Sequence, residues 1–169
     1  MASLIQAGEA IPPFISVIYN SPLATHVRES EITFPLLQTF HVLGILLMVG
    51  SIAIVDLRIL GVVLKERTAA EVGKSLLPVT WVGFIIMFLS GGSLFAAQSG
   101  KIYDNIFLQV KLGLLLFAAL NVVIFHATTY RSIASWPVEG APRSAKAAAV
   151  LSLVVWAAVV VTGRYIAYY

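Results

Sequence analysis

The chain has no cysteine, which removes disulfides, thiolate nucleophiles, cysteine-held iron–sulfur clusters and covalently attached haem from consideration. It is also poor in charge: Asp, Glu, Lys and Arg make up 11% of it, against about 25% in an ordinary soluble domain. Histidine is scarce, with three in 169 residues. No Walker motif, dinucleotide glycine fingerprint or pair of metalloprotease histidines occurs. No serine stands at a recognisable spacing from a histidine and an acid, so hydrolase chemistry has little support. The formal charge of +3 is spread rather than clustered, which argues against a nucleic-acid surface.

Apolar residues are what the chain has in quantity. They form 59% of it, with a mean hydropathy of +0.93, well outside the soluble range. The expected fold class is all-α: an integral membrane four-helix bundle preceded by an N-terminal interfacial amphipathic segment. A spanning helix needs about 20 apolar residues. Four stretches qualify, at about 35–63, 76–97, 106–130 and 147–168. They constitute one bundle region, 35–169, after a segment at 1–34 that is too short and too polar to cross. Met1 to Ala10 lacks the basic start and cleavage site of a signal peptide. Within Ile11 to Ser30 the sequence predicts one or two short helices lying at the membrane surface, with Pro22 after Ser21 marking a start.

Basic residues near the helix ends give the expected orientation. Arg58, Lys65, Arg67, Lys74, Arg131, Arg143 and Lys146 lie on the side of the two longer connections; Arg28, Lys101, Lys111 and Arg164 lie on the other. Seven against four places the longer connections in the cytoplasm and both termini outside, periplasmic in a bacterial inner membrane. The expected partners are the lipid bilayer and a second copy or other membrane subunits. Trp81, Trp136, Tyr103, Tyr165, Tyr168 and Tyr169 fall where an aromatic belt is expected. Gly44, Gly50, Gly83, Gly91 and Gly92 are small residues of the kind that let spanning helices approach closely.

Ionisable groups inside a span are costly enough to be read as functional until shown otherwise. His41 lies roughly 9 Å from the outer end of the first span at about 1.5 Å per residue. Lys111 lies at a similar depth in the third, and Arg164 one turn from the end of the fourth. With Gln38 one turn before His41, these residues predict one outer polar layer. Gly44, one turn after His41, is expected to leave room for a flat ligand. His41 is thus a candidate haem or metal ligand, with Lys111 and Arg164 offsetting an anionic charge; the alternative is an internal histidine hydrogen-bonded across the bundle. His26 is a candidate second ligand at the outer site. His126, roughly 20 Å or more from the level of His41 by the same rise, is either a ligand at the inner side or an interfacial residue. Two haems with paired histidines would need four, and the chain has three. Asp56 and Arg58 stand two residues apart on different faces, each expected to pair with something other than its neighbour.

These motifs carry a resemblance. The sequences RES at Arg28 to Ser30, HVLG at His41 to Gly44, DLRILG at Asp56 to Gly61, the Tyr103, Asn105, Phe107 and Lys111 run, His126, the Pro142 to Lys146 helix entry and Gly163-Arg164 resemble a family of small bacterial inner-membrane proteins carried as a domain of unknown function. The likeness covers nearly the whole chain and implies a four-helix membrane bundle with no established activity. In broad plan the bundle also looks like four-helix b-type cytochromes, from which its histidine count departs. The functional expectation is a haem b-binding electron-transfer component or membrane anchor. The rival expectations are a structural or assembly subunit, and a small transport, quinone- or anion-binding protein using the same outer layer.

Overall fold

The computed structural model describes residues 11–128, 130, 133, 136 and 140–168. The reading of Met1 to Ala10, and Arg131 and Tyr169 in the charge count and the aromatic belt, lie outside the described residues. Among the described residues six α-helices follow one another: α1 (Pro13–Tyr19), α2 (Pro22–Glu29), α3 (Thr33–Ile59), α4 (Ala69–Ile102), α5 (Ile106–Thr128) and α6 (Arg143–Tyr165). The last four are each long and apolar enough to cross a membrane, so the protein is a multi-pass membrane protein. Many of their large apolar side chains point outward, Leu46, Phe88, Leu116 and Val154 among them, as lipid-facing surfaces require.

Helix ends differ from the sequence expectation for local reasons. The first span stops at Ile59 rather than Val63 because Gly61 adopts a left-handed φ of +79°. Its N–H bonds the Arg58 carbonyl and the Val62 N–H bonds the Leu57 carbonyl, the paired closure of a Schellman turn. The second span is 34 residues long instead of about 22. Thr68 and Glu71 form a reciprocal capping box, with the Glu71 N–H donating to Thr68 Oγ1 at 3.2 Å and the Thr68 N–H donating to Glu71 Oε2 at 2.9 Å. The polar run after Lys65 therefore starts a helix where a loop was expected. Pro78 sits inside α4 without ending it. Thr68→Ala is expected to cost about 1 kcal/mol, the usual value of an N-cap, and to raise amide exchange in the first turn of α4 without changing the rest.

At roughly 50 Å, α4 is longer than a hydrocarbon core of about 30 Å. Its α5-proximal end is where α1 and α2 pack: the Tyr19 ring lies flat against Gly100. Arg28 closes this corner by donating to the Tyr19 carbonyl at 3.0 Å and stacking 4.0 Å over its ring. Ser21 caps α2 by accepting from the Ala24 N–H, so the proline start read from the sequence is present.

α3 pairs mainly with α4 and α5 with α6, and the two hairpins meet through α3 against α6. Asn121 ties α5 to α6 by donating to the Ala148 carbonyl at 3.3 Å. One apolar cluster, Met48, Ala118, Val155, Trp156 and Val159, fills the middle of the bundle. A second, Ile59, Ala69, Trp136, Ala145 and Ala149, closes the end carrying the two longer connections. Trp136 thus belongs to the core and not to the expected surface belt.

Candidate functional site

The antiparallel α3–α4 interface is a ladder whose rungs advance three or four residues at a time. Ser51 Oγ meets Thr80 Oγ1 at 2.7 Å. A Cβ built on Gly83 would stand 2.5 Å from the Met48 nitrogen and 2.9 Å from the Gly44 carbonyl oxygen. A Cβ on Gly44 would stand 2.8 Å from the Met87 nitrogen. Two backbones touch here, which only glycine permits. The space expected beside Gly44 is taken by α4, so Gly44 is a packing residue.

The next rung is His41. Its Nδ1 lies 3.0 Å from Ser90 Oγ, and its ring rests on α4 where a Cβ on Gly91 would come within 2.9 Å of Cε1. The Ser90 hydroxyl donates its one proton to the Ile86 carbonyl at 2.6 Å, so its oxygen accepts from Nδ1–H. This favours the tautomer protonated on Nδ1, with the Met87 backbone as a further hydrogen-bond partner of the ring.

Lys111, on α5, completes the site. It is half-buried and close enough to His41 for their charges to interact. Its Nζ lies against Gly163 in the last turn of α6, 3.2 Å from where a Cβ would stand. That turn is the negative end of the α6 dipole, which favours an ammonium. Lys111 makes no hydrogen bond or ion pair among the described residues. All four spanning helices thus contribute: His41 from α3, Ser90 and Gly91 from α4, Lys111 from α5 and Gly163 from α6.

The other expected members do not join. Gln38 is exposed. Arg164 is exposed and engages Tyr168 through a hydrogen bond and a ring contact at 4.8 Å. His26 reaches Thr33 Oγ1 at 3.5 Å, two turns, or about 12 Å, before His41 along α3. His126 contacts the Val122 carbonyl of its own helix at 2.9 Å and leans on Tyr130, ring centroids 4.6 Å apart. It lies about 22 Å along α5 from Lys111. Among the described residues no group of three or more His, Asp or Glu side chains is placed to hold a metal ion. Ser90 is the residue the sequence reading missed; its only signal is the SGGS run at 90–93, at the depth of His41 on the paired helix.

The sequence profile described as a family of unknown function, DUF6644, matches residues 29–169. The chain belongs to the DUF6644 family. No curated protein and no solved structure matches it. In this DUF6644 member the match includes the whole α3–α6 bundle and every residue of the His41–Lys111 site, while α1 lies outside it.

Proposed function

We propose that this DUF6644 protein is a membrane-embedded binding protein for a small amphiphile whose head carries an anionic or carbonyl oxygen, as in a quinone or a fatty acid. The observation that carries the reading is Lys111, a half-buried ammonium inside a span with no acidic partner among the described residues. A buried cation of this kind is stabilised by an oxygen brought in by a ligand. His41, held by Ser90 with Nε2 unprotonated, would accept a hydrogen bond from a hydroxyl on the same head. The charge count on the connections supports an orientation that puts this site in the outer half of the membrane, the periplasmic half in a bacterial inner membrane.

Binding of a tritiated short-chain quinone and of a tritiated fatty acid to protein in nanodiscs tests the proposal. A hydrogen bond to a charged group is worth about 1.5–3 kcal/mol, so Lys111→Ala should weaken binding roughly 10- to 100-fold, with a smaller loss in His41→Ala. Absence of saturable binding of both probes would overturn it.

A second reading, a haem b site in an electron-transfer component or membrane anchor, is favoured by the Nδ1–Ser90 contact of His41. A histidine that donates through Nδ1 and presents Nε2 is oriented as an axial ligand should be. His41 would be the one histidine ligand, and Lys111 would face a propionate. Protein expressed with haem supplied should then show a Soret band that His41→Ala abolishes and Lys111→Ala retains.

A further inference from the structure

A second buried polar feature lies away from this layer, near the opposite end of α3. Asp56 is 8% exposed, and Ser152 on α6 faces its carboxyl as a hydrogen-bond donor. Its Oδ2 is buried with no hydrogen-bond partner among the described residues. The nearest basic residue in sequence does not serve it, because Arg58 donates to the Arg67 and Lys65 carbonyls and closes the α3–α4 connection.

Asp56 also lines a groove of 420 Å³ between α3 and α6, within the usual range of about 300–1,000 Å³ for small-molecule sites. The groove is otherwise apolar, formed by Val49, Ile52 and Ala53 on α3 and by Leu153, Trp156 and Ala157 on α6, with Val160 and Val161 beyond. From Leu153 to Val161 it runs about 12 Å along the helix axis. Ala157, Val160 and Val161 are exposed, so the groove opens on the lipid side of the bundle.

The geometry points to a binding site for a lipophilic primary amine, its chain along the α3–α6 groove and its ammonium on Asp56. An ordinary acyl chain would fill the apolar length and leave the carboxylate oxygen unpaired. An alcohol would supply one donor and no charge. A protonated amine supplies both, and charge complementarity selects it because no cation among the described residues faces Asp56. This proposal stands independently of the His41–Lys111 reading.

Photolabelling in nanodiscs tests it, using a clickable diazirine-bearing long-chain amine and the alcohol of the same chain length. The amine should label peptides containing Val49 to Asp56 or Leu153 to Val161, at least 10-fold more strongly than the alcohol. Asp56→Asn, which keeps the shape and removes the charge, should lower amine labelling to the level of the alcohol. Ala157→Leu, which narrows the groove at an exposed position and leaves Asp56 intact, should lower it as well. Equal labelling by amine and alcohol would mean an acyl-chain groove only, and would overturn the proposal. So would labelling that survives Asp56→Asn, labelling confined to other helices, or a groove closed to both probes by a second copy of the chain.

Discussion

Gly83→Ala is expected to lower the thermal midpoint of the detergent-solubilised protein by about 10 °C. One added methyl group would lie 2.5 Å from the Met48 nitrogen and 2.9 Å from the Gly44 carbonyl oxygen. Both are backbone atoms of α3, so no rotamer change relieves the clash and the helices themselves must separate. Overpacking costs about 1–3 kcal/mol. A clash against backbone belongs at the upper end, and about 3 kcal/mol corresponds to roughly 6–12 °C in a chain of this size. Separation would also pull Ser90 from His41 and Thr80 from Ser51, since those bonds depend on the same approach. Gly92→Ala and Gly50→Ala are the controls. A Cβ at either meets nothing within 4 Å, so alanine should be neutral or stabilising by up to about 1 kcal/mol through helix propensity. Equal midpoints for Gly83→Ala and Gly92→Ala would show that the helices do not cross at Gly83.

Trp136→Ala should be at least as damaging. The ring is 9% exposed and packs with Ile59 from the end of α3, Ala69 from the start of α4, and Ala145 and Ala149 from the first turns of α6. Phe125 of α5 meets its edge at a centroid distance of 6.5 Å. Trp136 therefore belongs to a cluster that draws on all four spanning helices at that end of the bundle. Truncating a buried tryptophan costs about 3–5 kcal/mol, enough to shift the midpoint by roughly 10 °C or more. Trp81 is the comparison: it is 57% exposed and touches Phe84 of its own helix edge-on, so Trp81→Ala should move the midpoint by less than about 2 °C on the scale of surface substitutions. Similar shifts in the two variants would place Trp136 at the membrane surface after all.

These two residues also show what could be read from the chain. Gly83 is legible as a small residue in a span, but nothing in its neighbours says that Met48 and Gly44 lie opposite. Trp136 sits in a polar connection between apolar runs, where tryptophan ordinarily marks the membrane interface; only the cluster of Ile59, Ala69, Ala145 and Ala149 shows it to be buried. His41 and Lys111 were legible as intramembrane ionisable residues of equal depth, and the structure brings them together. Arg164 shares that depth and still turns outward to Tyr168, because depth fixes a level along the helix axis and leaves the direction around it open. Gly44 is the converse case: a missing side chain reads as space in the sequence, and the neighbouring backbone occupies it.

The four spans, their order and the polar depth of His41 and Lys111 are consequences of hydropathy and of a constant rise per residue, both of which are local properties written along the chain. Which way each polar side chain faces, that Ser90 holds His41, that Gly83 meets Gly44, and that Asp56 is left with an unpartnered oxygen beside an apolar groove were settled by the packing of α3 on α4 and on α6. Spans that are apolar on every side carry almost no periodic signal of which face is inward. In such helices rotation about the axis is decided by steric fit between distant segments, and that fit exists only once the helices are assembled.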